Sequence, residues 1–135
     1  TLDSDFQHNP KYIEKFLNVD KNCMLVYGRR TFFVNMPLHR SLSNWITSFI
    51  LSLFCNKRIY DSQCGYRRYN LNLFMNSTFL EHGYQFESEI LLKKINSNTS
   101  VNYINIETIY NNSKSHINHF NDTYKFIRCI LRSLF

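Results

Sequence analysis

The stretch TLDSDFQHNP, residues 1–10, places two carboxylates one residue apart, directly after the apolar Leu2. If a strand ends at Leu2, side-chain alternation points Asp3 and Asp5 in the same direction. Hard divalent cations prefer such oxygen ligands, and Mg²⁺ is usually held by one or two carboxylates together with substrate phosphates. The competing interpretation is structural, because Asp5 or Asn9 can cap a helix that opens at the end of the stretch. Acidic pairs are common in loops, so the spacing alone favours the helix cap.

The residues around the acidic pair resemble a motif of a known protein family. The pattern Thr-Leu-Asp-Ser-Asp-x-Gln-His-Asn-Pro resembles the Asp-x-Asp segment of family 2 glycosyltransferases, in the branch of dolichol- or polyprenyl-phosphate mannosyl- and glucosyltransferases. By this resemblance Asp3, Asp5 and Gln7 hold Mg²⁺ or Mn²⁺ against the diphosphate of a nucleotide-sugar. The resemblance also implies an α/β fold of the GT-A type. Residues 1–135 would then be a single partial domain, the C-terminal portion of a longer enzyme without its nucleotide-binding N-terminal half.

Length and composition narrow the class of protein. The chain has 135 residues, enough for one domain with a hydrophobic core. Its net charge of +6 favours an anionic partner, such as nucleic acid, a membrane surface or a phosphorylated substrate. The four cysteines have neither Cys-x-x-Cys nor zinc-site spacing, so reduced thiols are expected. No apolar run reaches the roughly 18 residues that a membrane-spanning helix needs.

A continuous apolar run, residues 22–28, ends at a glycine and predicts a buried parallel strand. Arginines follow at the carboxyl end of this strand, where open α/β sheets bind their ligands. The spacing from Gly28 to Arg30 and Arg40 resembles a family stretch whose arginines grip the phosphate of a lipid acceptor, although the family usually has a small residue in place of Arg29. The resemblance implies that Arg30 and Arg40 bind the acceptor, a role that suits a guanidinium fork. Without the resemblance, a surface loop that carries arginines is the simpler interpretation.

The second specific match is RIYDSQCGYRRYN, residues 58–70, which resembles the family's Asp-Thr-Gln-x-Gly-Phe-Arg-x-Tyr segment. It makes Asp61 the catalytic carboxylate: a general base for a sugar hydroxyl, a group that orients an already ionised phosphate acceptor, or a partner of the metal site. Gly65 allows a close backbone approach or a positive φ. Arg67 would neutralise a substrate phosphate or pair with Asp61. An Asp-capped turn with an arginine salt bridge is the structural alternative.

Two glutamates open a predicted acid-rich helix. Glu87 and Glu89 stabilise the helix dipole, which is a complete structural account of them. Their segment also resembles the family's Phe-x-Phe-Glu-x-Glu helix, so both are candidates for the active site, and Glu89 is assigned to substrate binding.

Two amphipathic helices are predicted. Residues 41–55 place apolar side chains on one uncharged helical stripe, and residues 124–135 combine an apolar face with basic residues. Each helix can pack in the core or lie at a membrane interface beside a lipid acceptor. The interfacial interpretation predicts peripheral membrane contact through both segments, at the inner face of the plasma membrane in a cytoplasmic protein.

The resemblance implies a metal-assisted, inverting glycosyltransferase that moves a hexose from a nucleotide-sugar donor to a polyprenyl phosphate. By the resemblance, the half that binds the nucleotide base lies outside this sequence, so the chain alone is not expected to be active. Transfer to a glycan or other hydroxyl acceptor in cell-envelope polysaccharide synthesis is the alternative reaction. A non-catalytic basic module that binds nucleic acid or membrane is the alternative class. The 16 Lys and Arg residues are dispersed and follow no nucleic-acid-binding signature, so nucleic acid is not an expected partner.

Overall fold

The computed structural model describes residues 1–3, 7–109 and 119–134 of the chain. Within these residues the α/β class predicted from the sequence is confirmed, with short 3₁₀ turns at Pro10–Tyr12 and Leu71–Phe74. In chain order the helices and strands are α1 (Ile13–Leu17), β1 (Leu25–Arg29), α2 (Leu38–Phe54), β2 (Arg67–Tyr69), α3 (Tyr84–Lys94), β3 (Val101–Asn105) and α4 (His119–Leu134).

The strands form one mixed sheet in the order β2-β1-β3, with β1 in the centre. β1 runs antiparallel to β2, where Leu25 lies opposite Tyr69, and parallel to β3, where Leu25 lies opposite Val101. This central position explains the continuous apolar run of β1, because both faces of the strand are covered. The predicted strand is confirmed, whereas the expected parallel pairing holds on the β3 side only.

Alternate side chains of β1 enter two hydrophobic clusters, as the pleat of a strand requires. Leu25 and Tyr27 belong to the larger cluster, together with Leu51 of α2 and Leu91 of α3. Val26 belongs to the smaller cluster, whose other buried members are Phe16, Cys23, Cys64, Tyr66 and Ile106. β1 is therefore packed on both faces, and the residues that follow its carboxyl end extend from a buried strand.

The long helix α2 buries its polar side and exposes its apolar one. Its buried residues are Ser41, Asn44, Ser48 and Leu51. The predicted apolar stripe faces solvent instead, and about half of each side chain is exposed in Leu42, Trp45 and Phe49. The interpretation of this stripe as a core face is therefore wrong. The physical reason is that the inner face of α2 supplies hydroxyl groups to the following segment, which apolar side chains cannot do.

Helix α4 covers only part of its apolar surface by packing against α3. Cys129 is buried and Phe126 packs against the larger cluster, whereas Ile127 and Leu131 are more than half exposed. Among the residues described, no helix combines the length and the apolar character needed to cross a membrane.

Candidate active site

The segment that links α2 to β2 carries Asp61 and is held by two serines of α2. Ser48 and Ser52 lie one helical turn apart, on the same face of the helix. The backbone N–H of Ile59 donates to the Ser52 hydroxyl at 2.8 Å, and that of Ser62 donates to the Ser48 hydroxyl at 2.9 Å. The position of Asp61 is therefore set by the polar inner face of α2.

The Asp61 carboxylate is buried and accepts hydrogen bonds on both oxygens. Oδ2 accepts from Nε of Arg30 at 2.7 Å and from the Arg30 backbone N–H at 3.2 Å. Oδ1 accepts from Nη2 of Arg30 at 2.9 Å and from the Gln63 backbone N–H at 3.3 Å. A carboxylate has about four lone-pair positions, so none remains to take a proton from a substrate. The geometry disfavours general-base catalysis by Asp61 and gives its carboxylate a role outside the three predicted ones, the orientation of Arg30.

Arg30 pairs with Asp61, and its pKa is also influenced by the charge of Asp3. Burial by itself lowers the pKa of Arg30. The charge and hydrogen bonds of Asp61 raise the pKa by more than this, and the charge of Asp3 adds to the rise, so the pKa of Arg30 lies above its ordinary value. Arg30 is therefore within electrostatic reach of both carboxylates. Among the described residues none accepts a hydrogen bond from Nη1 of Arg30, which leaves one edge of the guanidinium for a ligand.

The opening stretch pairs with the segment that contains Asp61. Thr1 donates from its amino group to the carbonyl of Arg67 at 2.6 Å and accepts the Arg67 backbone N–H at 3.0 Å. Asp3 then lies directly on Gly65: a Cβ added to Gly65 would be 2.5 Å from Oδ2 of Asp3 and 2.8 Å from Oδ1. Gly65 is required here for this close approach and not for a positive φ. The two motifs that resemble the same family therefore meet in space.

His8 fixes the backbone of Asp3. The Asp3 N–H donates to Nδ1 of His8 at 3.1 Å, and the His8 ring is buried and packs 5.2 Å from the ring of Tyr66. The Asp3 side chain remains 59% exposed, so its carboxylate is open to a ligand. Sequence reasoning assigned no role to His8, although its signal was present in the Gln-His pair of the opening pattern.

Arg67 is buried and forms structural hydrogen bonds, and its binding to a substrate phosphate stays a prediction. Nη2 donates to the carbonyl of Ser62 at 2.6 Å, and Nε donates to the carbonyl of Cys64 at 2.8 Å. Nη2 also lies 3.3 Å from Oε2 of Glu87. The guanidinium is only 1% exposed, and its hydrogen bonds organise the segment. The expected ion pair of Asp61 is made with Arg30 instead.

A cavity of about 280 Å³ lies beside Asp3, and Glu87 reaches it. Its lining residues are Asp3, Gln63, Gly65, Gly83 and Glu87. Burial raises the pKa of Glu87, Arg67 opposes this rise, and the Asp3 carboxylate adds to it. The small cavity is therefore lined by the carboxylates of Asp3 and Glu87, and the pKa of Glu87 is raised.

Glu89 forms structural contacts, and its assignment to substrate binding stays a prediction. Its carboxylate is buried and accepts the backbone N–H of Leu80 at 3.0 Å and that of Glu81 at 2.9 Å. It also pairs with Lys93 at 2.7 Å. The two glutamates of the helix motif thus have different roles, because positions two residues apart on a helix point in different directions.

The fit of a divalent cation can be judged from the small cavity. Asp5 lies outside the described residues, and Gln7 is half-buried. Across residues 1–3, 7–109 and 119–134 no group of three or more His, Cys, Asp or Glu side chains is arranged to hold a metal. The carboxylates of Asp3 and Glu87 nevertheless offer oxygen ligands at one cavity, which fits a cation whose coordination is completed by substrate phosphates.

A larger cavity of about 720 Å³ is lined by residues at the end of β1, in helix α2 and in the segment that follows α2. Its wall combines guanidinium groups with aromatic rings: Arg29, Arg30, Arg58, Phe32, Trp45, Phe49 and Tyr60. Arg40 lies in the first turn of α2 and lines neither of these two cavities. Of the arginines assigned to the acceptor, only Arg30 therefore reaches a cavity described here.

Comparison with known proteins adds one similarity. The chain is 33% identical to an uncharacterized protein of Methanocaldococcus jannaschii over 116 residues, which cover 78% of this chain and 50% of that protein. The chain thus spans about half the length of this relative. No protein-family model matches the chain. No solved structure matches it.

Proposed function

We propose that the chain is part of a GT-A-type glycosyltransferase that moves a hexose from a nucleotide-sugar to a polyprenyl phosphate, with inversion at the sugar. The contact of Asp3 with Gly65 carries the proposal. It joins two segments that are remote in sequence and that each resemble the same family. If the two segments resembled the family only by chance, there would be no reason for them to be in contact.

The donor side of the reaction is assigned to the small cavity. Asp3 and Glu87 line it, and Asp5 and Gln7 belong to the same set by the resemblance. These residues would hold Mg²⁺ or Mn²⁺ against the diphosphate of the nucleotide-sugar. A cation bound there offsets the negative charge that builds up on the departing nucleoside diphosphate.

The acceptor side is assigned to Arg30 and the larger cavity. Asp61 holds Nε and Nη2 of Arg30, which points the remaining edge of the guanidinium at the acceptor. A phosphate acceptor is already ionised and needs no general base, whereas a glycan hydroxyl must lose a proton to attack. The occupied lone pairs of Asp61 therefore support a lipid-phosphate acceptor over a glycan acceptor.

Contact with a membrane is the third part of the proposal. The loop that precedes α2 in the chain also exposes apolar side chains, because Phe33 and Val34 are 56 and 51% exposed. Phe33 also has a φ of 66°, an uncommon conformation for an aromatic residue. An exposed apolar surface beside arginines suits the interface of a membrane with anionic lipids, here the inner face of the plasma membrane.

The test of the donor site is Mn²⁺ binding, measured from the electron paramagnetic resonance signal of the free ion, with and without UDP or GDP. We expect both nucleoside diphosphates to strengthen Mn²⁺ binding through their phosphates, and Asp3→Asn to weaken it by about tenfold or more. Gly65→Ala should weaken it too, because the new methyl group displaces the Asp3 carboxylate. Asp20→Asn, at an exposed aspartate outside the cavity, is the control. Equal Mn²⁺ binding by the wild-type protein and the Asp3→Asn variant would refute the donor site.

A further inference from the structure

We infer that Arg67 is a positioning residue of the donor site, which holds together the three parts of the chain that line the small cavity. The inference rests on the proposed function, because it takes the small cavity as the donor site. It differs from both roles that the sequence predicted for Arg67, since the side chain acts through the residues that it holds and not on a substrate or on Asp61.

The Arg67 side chain holds alternate residues of the segment that links α2 to β2. Nη2 donates to the carbonyl of Ser62, and Nε donates to that of Cys64. The residues that follow each of them, Gln63 and Gly65, line the small cavity. Because the donors of a guanidinium have a fixed geometry, the two carbonyls are fixed relative to each other. The two cavity residues are therefore placed by the hydrogen bonds of their neighbours.

The same residue reaches the two carboxylates of the cavity. Its Nη2 lies 3.3 Å from Oε2 of Glu87, and its Nη1 donates to the Glu87 carbonyl at 3.5 Å. Its backbone exchanges two hydrogen bonds with Thr1, two residues before Asp3. Arg67 therefore contacts the opening stretch, the segment that links α2 to β2, and helix α3, and each of these contributes residues to the cavity.

Stability alone does not explain a buried arginine at this place. The nitrogen atoms of Arg67 contact five oxygen atoms, and four of these belong to Ser62, Cys64 or Glu87. A buried ion pair is weak evidence for stability, because apolar residues of similar volume often replace it without loss. Buried partners that orient the ligands are, in contrast, a general feature of metal sites. The contacts of Arg67 match such a role.

Cys64 reports the state of the segment without any ligand. Its side chain is fully buried, and its carbonyl accepts from Arg67. Arg67→Lys keeps the positive charge but loses the fork that bridges two carbonyls. The reaction of each cysteine with a thiol reagent is followed by mass spectrometry of the labelled peptides, with the buried Cys55 as the internal reference. We expect the ratio of the Cys64 rate to the Cys55 rate to rise at least about tenfold, because lost charge-assisted hydrogen bonds ease local opening.

Mn²⁺ binding in the presence of UDP or GDP is the second measurement. Arg67→Lys should weaken this binding by about tenfold, as expected when a partner that orients metal ligands is lost. Because lysine keeps the charge of arginine, the loss reports a change of position and not of electrostatic attraction.

Arg68→Lys is the matched control, because the neighbouring guanidinium also donates to backbone carbonyls. Its acceptors are Phe16, Val19 and Asp20, at 3.0, 2.8 and 2.7 Å. None of these three residues lines either of the two cavities described above. The control should therefore leave the Cys64 ratio and the Mn²⁺ affinity within about twofold of the wild type.

The positioning role is overturned if Arg67→Lys leaves the Cys64 ratio unchanged, or if Arg68→Lys raises it as much. If Arg67→Lys does not fold, the wild-type protein in low urea decides. A held segment predicts that Cys64 reacts with the same urea dependence as Cys55, through global unfolding, whereas a faster reaction that hardly depends on urea would overturn the role. A wild-type protein that binds no Mn²⁺ refutes the donor site itself, so the two failures are distinguishable.

Discussion

Replacing Asp61 with asparagine keeps the size of the side chain but removes its charge and half of its hydrogen-bond acceptors. In the wild-type protein the carboxylate accepts two side-chain donors and one backbone donor of Arg30, at 2.7, 2.9 and 3.2 Å. Arg30 would remain in place with its side chain only 15% exposed and without its counter-charge. Removal of one partner from a buried ion pair costs about 3–5 kcal/mol. For a chain of this size, we expect the thermal midpoint to fall by about 10–15 °C.

Urea denaturation followed by Trp45 fluorescence measures the loss of unfolding free energy. Asp20→Asn is the matched control, because its side-chain oxygen can still accept the Asn22 N–H, and we expect a change within about 0.5 kcal/mol. A double variant that replaces both Asp61 and Arg30 with apolar residues should be more stable than the sum of the single changes predicts. If Asp61→Asn costs less than about 1 kcal/mol, the ion pair does not hold Asp61, and its assignment as an orienting group fails.

Three further predictions concern other parts of the molecule. Glu89→Gln should cost about 1–3 kcal/mol at pH 7, because it weakens a buried acceptor of two backbone N–H groups. Burial by itself raises the pKa of Glu89, but its lysine partner and these N–H groups outweigh burial and hold the pKa below its ordinary value. The stabilising contribution of Glu89 is therefore present above pH 4.5 and is lost as the pH falls through the lowered pKa. The free energies of unfolding of the wild-type protein and the Glu89→Gln variant, measured by urea titration, should therefore converge in acid. All four cysteines are buried, and burial raises the pKa of Cys64 to about 12. A thiol reagent at pH 8 should therefore react slowly with the native protein and fully with the protein in urea. Rapid reaction of the reagent with the native protein would contradict the packing of the cysteines. Phe49→Asp should reduce sedimentation of the protein with anionic vesicles by about tenfold at an unchanged thermal midpoint. Leu71→Asp, at a 79% exposed position outside α2, should not reduce it. Equal losses in the two variants would argue against membrane contact through the exposed stripe of α2.

Local patterns in the sequence predicted the main elements well. The apolar run that became β1 and the periodic stripe of α2 are signals between residues close together in the chain. The glycine at position 65 was expected to allow a close approach, and the structure shows that the approaching group is Asp3. The roles of the acidic pair as metal ligands and of Arg30 as an acceptor ligand stay predictions.

The sequence by itself determined where the strand and helices lie and which polar residues stand next to them, because those properties depend on neighbours within a few positions. Only the tertiary structure decided which face of α2 is covered, that Arg30 and not Arg67 pairs with Asp61, and that Glu87 and not Glu89 reaches the cavity of Asp3. A periodic stripe has the same sequence whether it faces a core or a membrane. Ion pairs between remote segments depend on the path of the loops that bring them together, and no local pattern records that path.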